Sequence, residues 1–173
     1  TASDPTAEAT AGGRYVFSVI DRTDLAMVLR VNAVFTPRAS FQVYAQPFLA
    51  AGHYSGFKEL TAPGLFAFDR YGLDCGSIGY DPGARRFTID PDGGGTAPAF
   101  SLPDPDFNVK SLRVNAVFRW EWRLGSTFYA VWSQQRADNA NPGVQSAGRD
   151  FSSLMRAPAD NVFMVKIAYW LSR

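Results

Sequence analysis

Seven consecutive residues occur twice in this chain: Leu29-Arg30-Val31-Asn32-Ala33-Val34-Phe35 returns unchanged as Leu112-Arg113-Val114-Asn115-Ala116-Val117-Phe118. In each copy apolar and mixed positions alternate, which is the period of a strand with one buried face. Each copy is followed by a turn and by an aromatic-rich segment ending near a glutamine. A repeated strand–turn–strand unit points to two related hairpins, because hairpins duplicate readily in antiparallel sheets and barrels. The repeat describes architecture and carries no chemistry of its own.

The alternation extends beyond the repeat. Leu25, Met27, Leu29, Val31, Ala33 and Phe35 occupy every second position, Thr36 to Ser40 forms a turn around Pro37, and Phe41 to Gln46 returns. Leu112, Val114, Ala116, Phe118, Trp120 and Trp122 line one face of a second long strand, Leu124-Gly125-Ser126 turns, and Thr127 to Gln135 runs back. Val162 to Leu171 reads as the last strand, and no segment shows a helical period. The expected fold is all-β: an antiparallel sheet or partly closed barrel with repeated hairpins, at about 24–48 and 111–135, and long irregular loops. Residues 1–13 lack apolar periodicity and read as a flexible N-terminal arm, leaving 14–173 as a single β domain. The Gly/Pro/Asp-rich stretch 61–110 and the stretch 136–160 are longer than ordinary connections, which makes them the expected contact regions.

Composition narrows the function classes. Seventeen basic against sixteen acidic residues give a charge of +1, without the basic excess of a nucleic-acid binder. No apolar run approaches the ~18 residues of a membrane helix, which leaves a barrel open. One cysteine permits no internal disulfide. The start, Thr1-Ala2-Ser3-Asp4, reads as the mature end left by signal-peptide removal, and with the aromatic content it suggests export to the periplasmic side of the cell envelope.

Candidate chemistry is sparse. His53 is the one histidine, in the turn-like Ala51-Gly52-His53-Tyr54-Ser55, and reads as an exposed residue. Cys75 lacks any local feature that would activate a thiolate and reads as a core or loop cysteine. Asp90-Pro91-Asp92-Gly93-Gly94-Gly95 spaces carboxylates as hard-cation loops do, but the further oxygen ligands are missing. It reads as turn chemistry, as does Asp104-Pro105-Asp106, which would join it if the segment between folds back. The expectation is a protein with no enzyme activity, no cofactor, no metal and no small-molecule substrate. Trp120, Trp122, Tyr129, Trp132 and Trp170 are the interaction candidates. They offer a stacking platform for sugars, an interface anchor, a lipid-level girdle or simply a sheet core.

Several blocks resemble a known family: Phe107-Asn108-Val109-Lys110-Ser111-Leu112-Arg113 into Val117–Arg123, Gly125–Gln134, Gly148-Arg149-Asp150-Phe151, Arg156-Ala157-Pro158, Asp160–Phe163 and Lys166–Leu171. Tyr44-Ala45-Gln46-Pro47-Phe48 and Phe57-Lys58-Glu59-Leu60 fit as well. Together they resemble the C-terminal end of large bacterial envelope proteins of unassigned function, which have a carbohydrate-binding-like N-terminal domain and a long region thought to be an outer-membrane β-barrel. The resemblance implies no catalytic residues. The end, Trp170-Leu171-Ser172-Arg173, runs past the terminal aromatic typical of outer-membrane strands. Only five or six segments reach the ~9–11 residues of a spanning strand, fewer than the eight of a small barrel. An open sheet with exposed edges invites partners. The expected role is therefore a scaffold subunit of a membrane-associated complex, with other protein subunits as partners and contact with the membrane surface. In size and apparent export the chain resembles the membrane-extrinsic polypeptides that brace a photosynthetic reaction centre inside its light-harvesting ring. The alternatives are an outer-membrane β-barrel fragment and a carbohydrate-binding module.

Overall fold

The computed structural model describes residues 1–140 and 142–171; Ser172 and Arg173, part of the atypical end, lie outside the described residues. In chain order the strands are β1 (Ala2–Ser3), β2 (Gly13–Arg14), β3 (Val16–Ala26), β4 (Leu29–Thr36), β5 (Ala39–Leu60), β6 (Phe68–Arg70), β7 (Ser77–Asp81), β8 (Arg86–Asp90), β9 (Phe100–Pro103), β10 (Phe107–Arg123), β11 (Ser126–Asp138) and β12 (Ala159–Ala168). One α-helix, α1 (Ala147–Arg156), and a 3-10 turn at Glu8–Thr10 complete the secondary structure. The fold is all-β, and every ladder between its strands whose register is resolved is antiparallel. The largest sheet runs β12-β11-β10-β5-β3, with β4 and β6 also paired to β5, and no sheet closes into a barrel among the described residues.

The chain divides into two compact units, residues 1–21 with 52–106 and residues 22–51 with 107–173. In the second unit the repeat is plain. Copy one lies in β4 and pairs with β5, from Leu29 opposite Ala45 to Val34 opposite Ser40. Copy two lies in β10 and pairs with β11, with Val114 opposite Gln134 and Phe118 opposite Ala130. The alternation at 25–35 is interrupted, because β3 ends at Ala26 and β4 begins at Leu29. Met27 nonetheless donates its N–H to the Pro47 carbonyl at 3.1 Å, so the lane beside β5 continues through the break.

The two copies occupy corresponding strands, each the first of its hairpin, but sit in unlike surroundings. Copy one is exposed on both faces apart from half-buried Ala33, whereas copy two buries Ala116 and half-buries Leu112, Val114, Val117 and Phe118. The reason is position: β10 has β11 and β5 on its two sides, while β4 has β5 alone.

The helix α1 was not foreseen. Its start is marked by Ser146, whose N–H is accepted by Asp150 at 2.7 Å, and its buried residues Asp150 and Leu154 are one turn apart. Ten residues hold too few turns for a hydrophobic period to stand out from the loop around them. At its foot, buried Lys110 donates to Asn108 Oδ1 at 2.8 Å and to the Ala140 carbonyl, and pairs with Asp138 at 3.2 Å.

In the first unit, residues 1–13, read from sequence as a flexible arm, make specific contacts. Ala2 and Ser3 pair with Arg14 and Gly13, and Asp4, only 1% exposed, bonds Arg14 and Thr6. Arg14 reaches on to both oxygens of Glu59, which also accepts the Tyr71 hydroxyl at 2.8 Å. A composition of small and polar residues concealed this, because one buried ion-pair network does the work of an apolar core. The same unit holds the antiparallel sheet β7-β8-β9. Gly76 enters it at φ +45°, where a Cβ would lie 1.9 Å from the Asp90 carbonyl oxygen, so only glycine fits.

Candidate functional site: a histidine–aspartate cleft and an apolar sheet face

The first unit contains a cleft of about 410 Å³ lined by His53, Tyr54, Ser55 and Phe57 of β5, by Tyr71, by Ile78, Gly79 and Tyr80 of β7, by Phe87 of β8, and by Asp104 and Asp106. His53 is a strand residue, not the turn residue its neighbours suggested. Its Nδ1 lies 2.6 Å from Asp106 Oδ2, while Asp106 Oδ1 accepts the Tyr54 N–H at 2.7 Å. A carboxylate only accepts, so Nδ1 carries the proton and Nε2 is left as the reactive nitrogen. Asp104 is fixed in turn: it accepts the Asp106 N–H at 3.0 Å, the Tyr80 hydroxyl at 2.9 Å and Arg85 at 3.0 Å. Rings form another part of the lining, with Phe87 4.6 Å from Phe57 and 4.7 Å from Tyr80 between centroids.

The electrostatics follow from these partners. The Asp106 hydrogen bond raises the pKa of His53 against the smaller opposing effect of burial, and the charges of Asp106, Asp104 and Asp21 add to it. Burial works to raise Asp104, but the Asp106 N–H, Tyr80 and Arg85 outweigh it and hold the carboxyl below its ordinary value. Cys75 is not part of the cleft, and burial, then Glu59 and Asp69, push its thiol up, away from the thiolate form a nucleophile needs. Asp90 and Asp92 are spent on turns, accepting the N–H groups of Asp92 and Gly93 and of Gly95 and Ala97. They do not meet Asp104 and Asp106, since Asp90 lies opposite Ser77 whereas Pro103 lies opposite Arg86 at the other end of β8. No cluster of metal-ligating side chains occurs among the described residues.

The second unit presents a different candidate, a sheet with two unlike faces. Residues directly opposite in a ladder share a face. One face carries Leu29 and Ala45, Val31 and Val43, and Ala33 and Phe41. On β10 to β12 the cross-strand rows are Ala116, Trp132 and Phe163; Phe118, Ala130 and Val165; and Trp120, Phe128 and Ile167. Phe41, Val43, Ala116, Phe118, Ala130, Trp132, Phe163 and Val165 line one hollow of about 380 Å³, so these rows share an apolar face; Val131 and Met164, from an alternate row of the register, also reach its lining. The other face pairs Arg30 with Tyr44, Asn32 with Gln42, Arg113 with Gln135, Asn115 with Ser133, and Arg119 with Tyr129 and Lys166.

The aromatic candidates divide between these faces. Trp120 and Trp122 sit near one end of the apolar face with rings 6.5 Å apart. Trp132 stacks on Phe163 at 6.3 Å and donates Nε1–H to Asn161 at 3.0 Å, marking the polar end of the same face. Tyr129 was grouped with them from sequence, yet it lies opposite Arg119 on the polar face. Trp170 follows β12, 65% exposed, with Ser126 Oγ accepting its N–H at 3.1 Å. The apolar face is uncovered: Phe163 is 75%, Val165 62% and Ile167 66% exposed.

These features define an antiparallel all-β protein with a small polar–aromatic cleft and an uncovered amphipathic sheet. The chain belongs to the family described as a domain of unknown function, DUF5916, which it matches over residues 6–172. No curated protein and no solved structure matches it.

Proposed function

We propose that the second unit is a sector of membrane-spanning β-wall, with its apolar face against lipid hydrocarbon and its polar face toward water, and that its role is structural rather than catalytic. The observation that carries this reading is the apolar face shared by β4, β5 from Phe41 to Ala45, β10, β11 and β12, backed by a more polar face on the same strands. Such alternation, with aromatics where the apolar band ends, is the pattern of a barrel wall in lipid. On the apolar face Arg136 lies opposite Leu112, and Gln134 and Asn161 continue the row of Val114. The apolar rows therefore run from Ala116 to Trp122, about 20 Å along an ideal strand. Tilted as barrel strands are, that becomes about 15 Å, part of the ~25 Å height of a full band. A single sheet layer with an open apolar face in water would have nothing to offset its exposed surface. The resemblance to large envelope proteins agrees with this reading, under which the chain belongs in the cell envelope.

The test is reconstitution of the full chain into vesicles of phosphatidylcholine brominated along the acyl chains. Trp120, Trp122 and Trp132 all lie on the apolar face, so strong quenching of tryptophan fluorescence is expected, together with a need for detergent during purification. A chain that stays soluble and monodisperse without detergent, or whose tryptophans are not quenched, overturns the proposal.

A scaffold subunit of a membrane-associated complex is the second reading. The edges of β12 and β4, which have no strand partner among the described residues, favour it. Native purification separates the two: a soluble chain arriving with a larger particle supports the scaffold, and pigment-binding subunits in that particle would support the reaction-centre role.

A further inference from the structure

We infer that the His53 cleft of the first unit is a binding site for a neutral saccharide, one pyranose ring stacked on the aromatic wall with its hydroxyls at His53 Nε2. Three observations carry this. Phe57, Phe87 and Tyr80 touch in sequence and give a continuous ring surface, and Tyr80 is 47% exposed at its open end. In the same cleft His53 is held by Asp106 through Nδ1, which leaves Nε2 as a hydrogen-bonding atom whose direction is fixed before any ligand arrives. The carboxylates of the cleft are already engaged, Asp106 by His53 Nδ1–H and the Tyr54 N–H, and Asp104 by Arg85 at 3.0 Å.

The last point selects the ligand. A cleft whose carboxylates are already paired has little to offer an organic cation, and carboxylates at its polar side repel an anion. What remains suitable is a neutral molecule with one apolar face and a polar edge. A pyranose has that form: its axial C–H bonds present an apolar face to an aromatic ring and its hydroxyls project from the rim. A volume of about 410 Å³ falls in the ordinary range of small-molecule sites. The argument is independent of the lipid-facing sheet, because every lining residue belongs to the first unit.

The experiment is saturation-transfer NMR on the full chain in a zwitterionic detergent, since an alkyl glycoside would compete. The probes are glucose, galactose, mannose, N-acetylglucosamine, maltose and cellobiose, with adenosine, choline and benzoate as a flat base, a cation and an anion. Transfer to the ring C–H protons of at least one saccharide is expected at millimolar concentration. Tyr80→Ala and His53→Ala should each weaken that binding at least tenfold, Tyr80→Phe should keep it, and Trp120→Ala should leave it unchanged. Both cleft side chains being substituted are about half exposed, so the fold should survive, with far-UV circular dichroism as the check. Silence from all six saccharides overturns the inference. So does saccharide binding that survives both alanine variants, or transfer confined to adenosine, choline or benzoate.

Discussion

His53 gains its meaning from Asp106, 53 positions away in the chain and 2.6 Å away in space. Because the chain has one histidine, its imidazole protons titrate without overlap in an NMR spectrum. The partner carboxylate raises the folded-state pKa, so the midpoint should lie above the ordinary ~6.5 and fall back in Asp106→Asn. The linked stability runs the same way. A raised folded pKa stabilises fully below the unfolded value and the gain is lost as pH rises through the folded one. The destabilisation by Asp106→Asn should therefore be largest below about pH 6.5 and shrink above the folded midpoint, because the Asn oxygen can still accept the Tyr54 N–H. A midpoint that does not move, or a penalty that grows with pH, would refute this assignment. Lys110 makes the same point about reach. Reading Phe107-Asn108-Val109-Lys110 locally puts a lysine in water, but it is fully buried against Asn108, Asp138 and the Ala140 carbonyl. Lys110→Met should cost roughly 2–4 kcal/mol in denaturant unfolding, because three polar groups would lose a buried partner. What was legible at this scale was residue type and local turn chemistry, such as the Asp90 and Asp92 turns. Pairings across tens of residues were not, since a side chain's environment is set by whatever strand the topology lays beside it.

At the scale of elements the repeat was informative because it obeys a period that the backbone enforces. In both copies Leu, the first Val and Ala take the apolar face and Arg, Asn and the second Val the other one, so duplication preserved facing up to the shift after Val34 although it did not preserve burial. Facing depends on strand geometry alone, whereas burial depends on neighbours, and a sequence states the first more directly than the second. Strand breaks, the helix α1 and the anchored N-terminal segment escaped for a common reason. Each is decided by a few polar contacts, Ser146 with Asp150 or Asp4 with Arg14, which leave no periodic trace. Glycine positions show the same divide. Gly64, at φ +80°, has nothing within 4 Å of where an alanine methyl would sit, so Gly64→Ala should cost only the left-handed backbone penalty of about 1 kcal/mol. Gly76→Ala must displace the Asp90 carbonyl as well and should cost several times more, disrupting the entry into β7. Equal unfolding midpoints for the two variants would show that the approach of Gly76 to β8 is not tight in solution.

Taken as a whole molecule, the chain puts few large side chains out of water: Ile89, Leu154, Tyr71 and Leu49 are its large buried apolar residues, while β12 leaves Val162 to Val165 and Ile167 exposed. Hydrophobic burial drives folding in water, so a sheet of this kind is at rest only when something apolar covers it. If that cover is lipid, adjacent residues of one strand should respond oppositely to a charge. Val165 faces the apolar side with Phe118 and Ala130, whereas Met164 faces the polar side with Val117 and Val131, one step from Arg119 and Lys166. The two are almost equally exposed, 62% and 60%, so solvent exposure cannot tell them apart. Val165→Arg should abolish stable insertion into vesicles or cost about 2–4 kcal/mol in a folding titration from urea, the penalty of a cation at mid-depth on a lipid-facing strand. Met164→Arg should be tolerated better than Val165→Arg, because its row, Val117, Val131 and Met164, lies between the polar rows of Asn115 with Ser133 and of Arg119 with Tyr129 and Lys166. If a protein partner of mixed polarity covered the apolar face instead, both variants would remain soluble and Val165→Arg would weaken only that association. Equal tolerance of the two charges in vesicles would therefore remove the lipid-facing assignment, because the period-two distinction between neighbours is the whole of its physical basis.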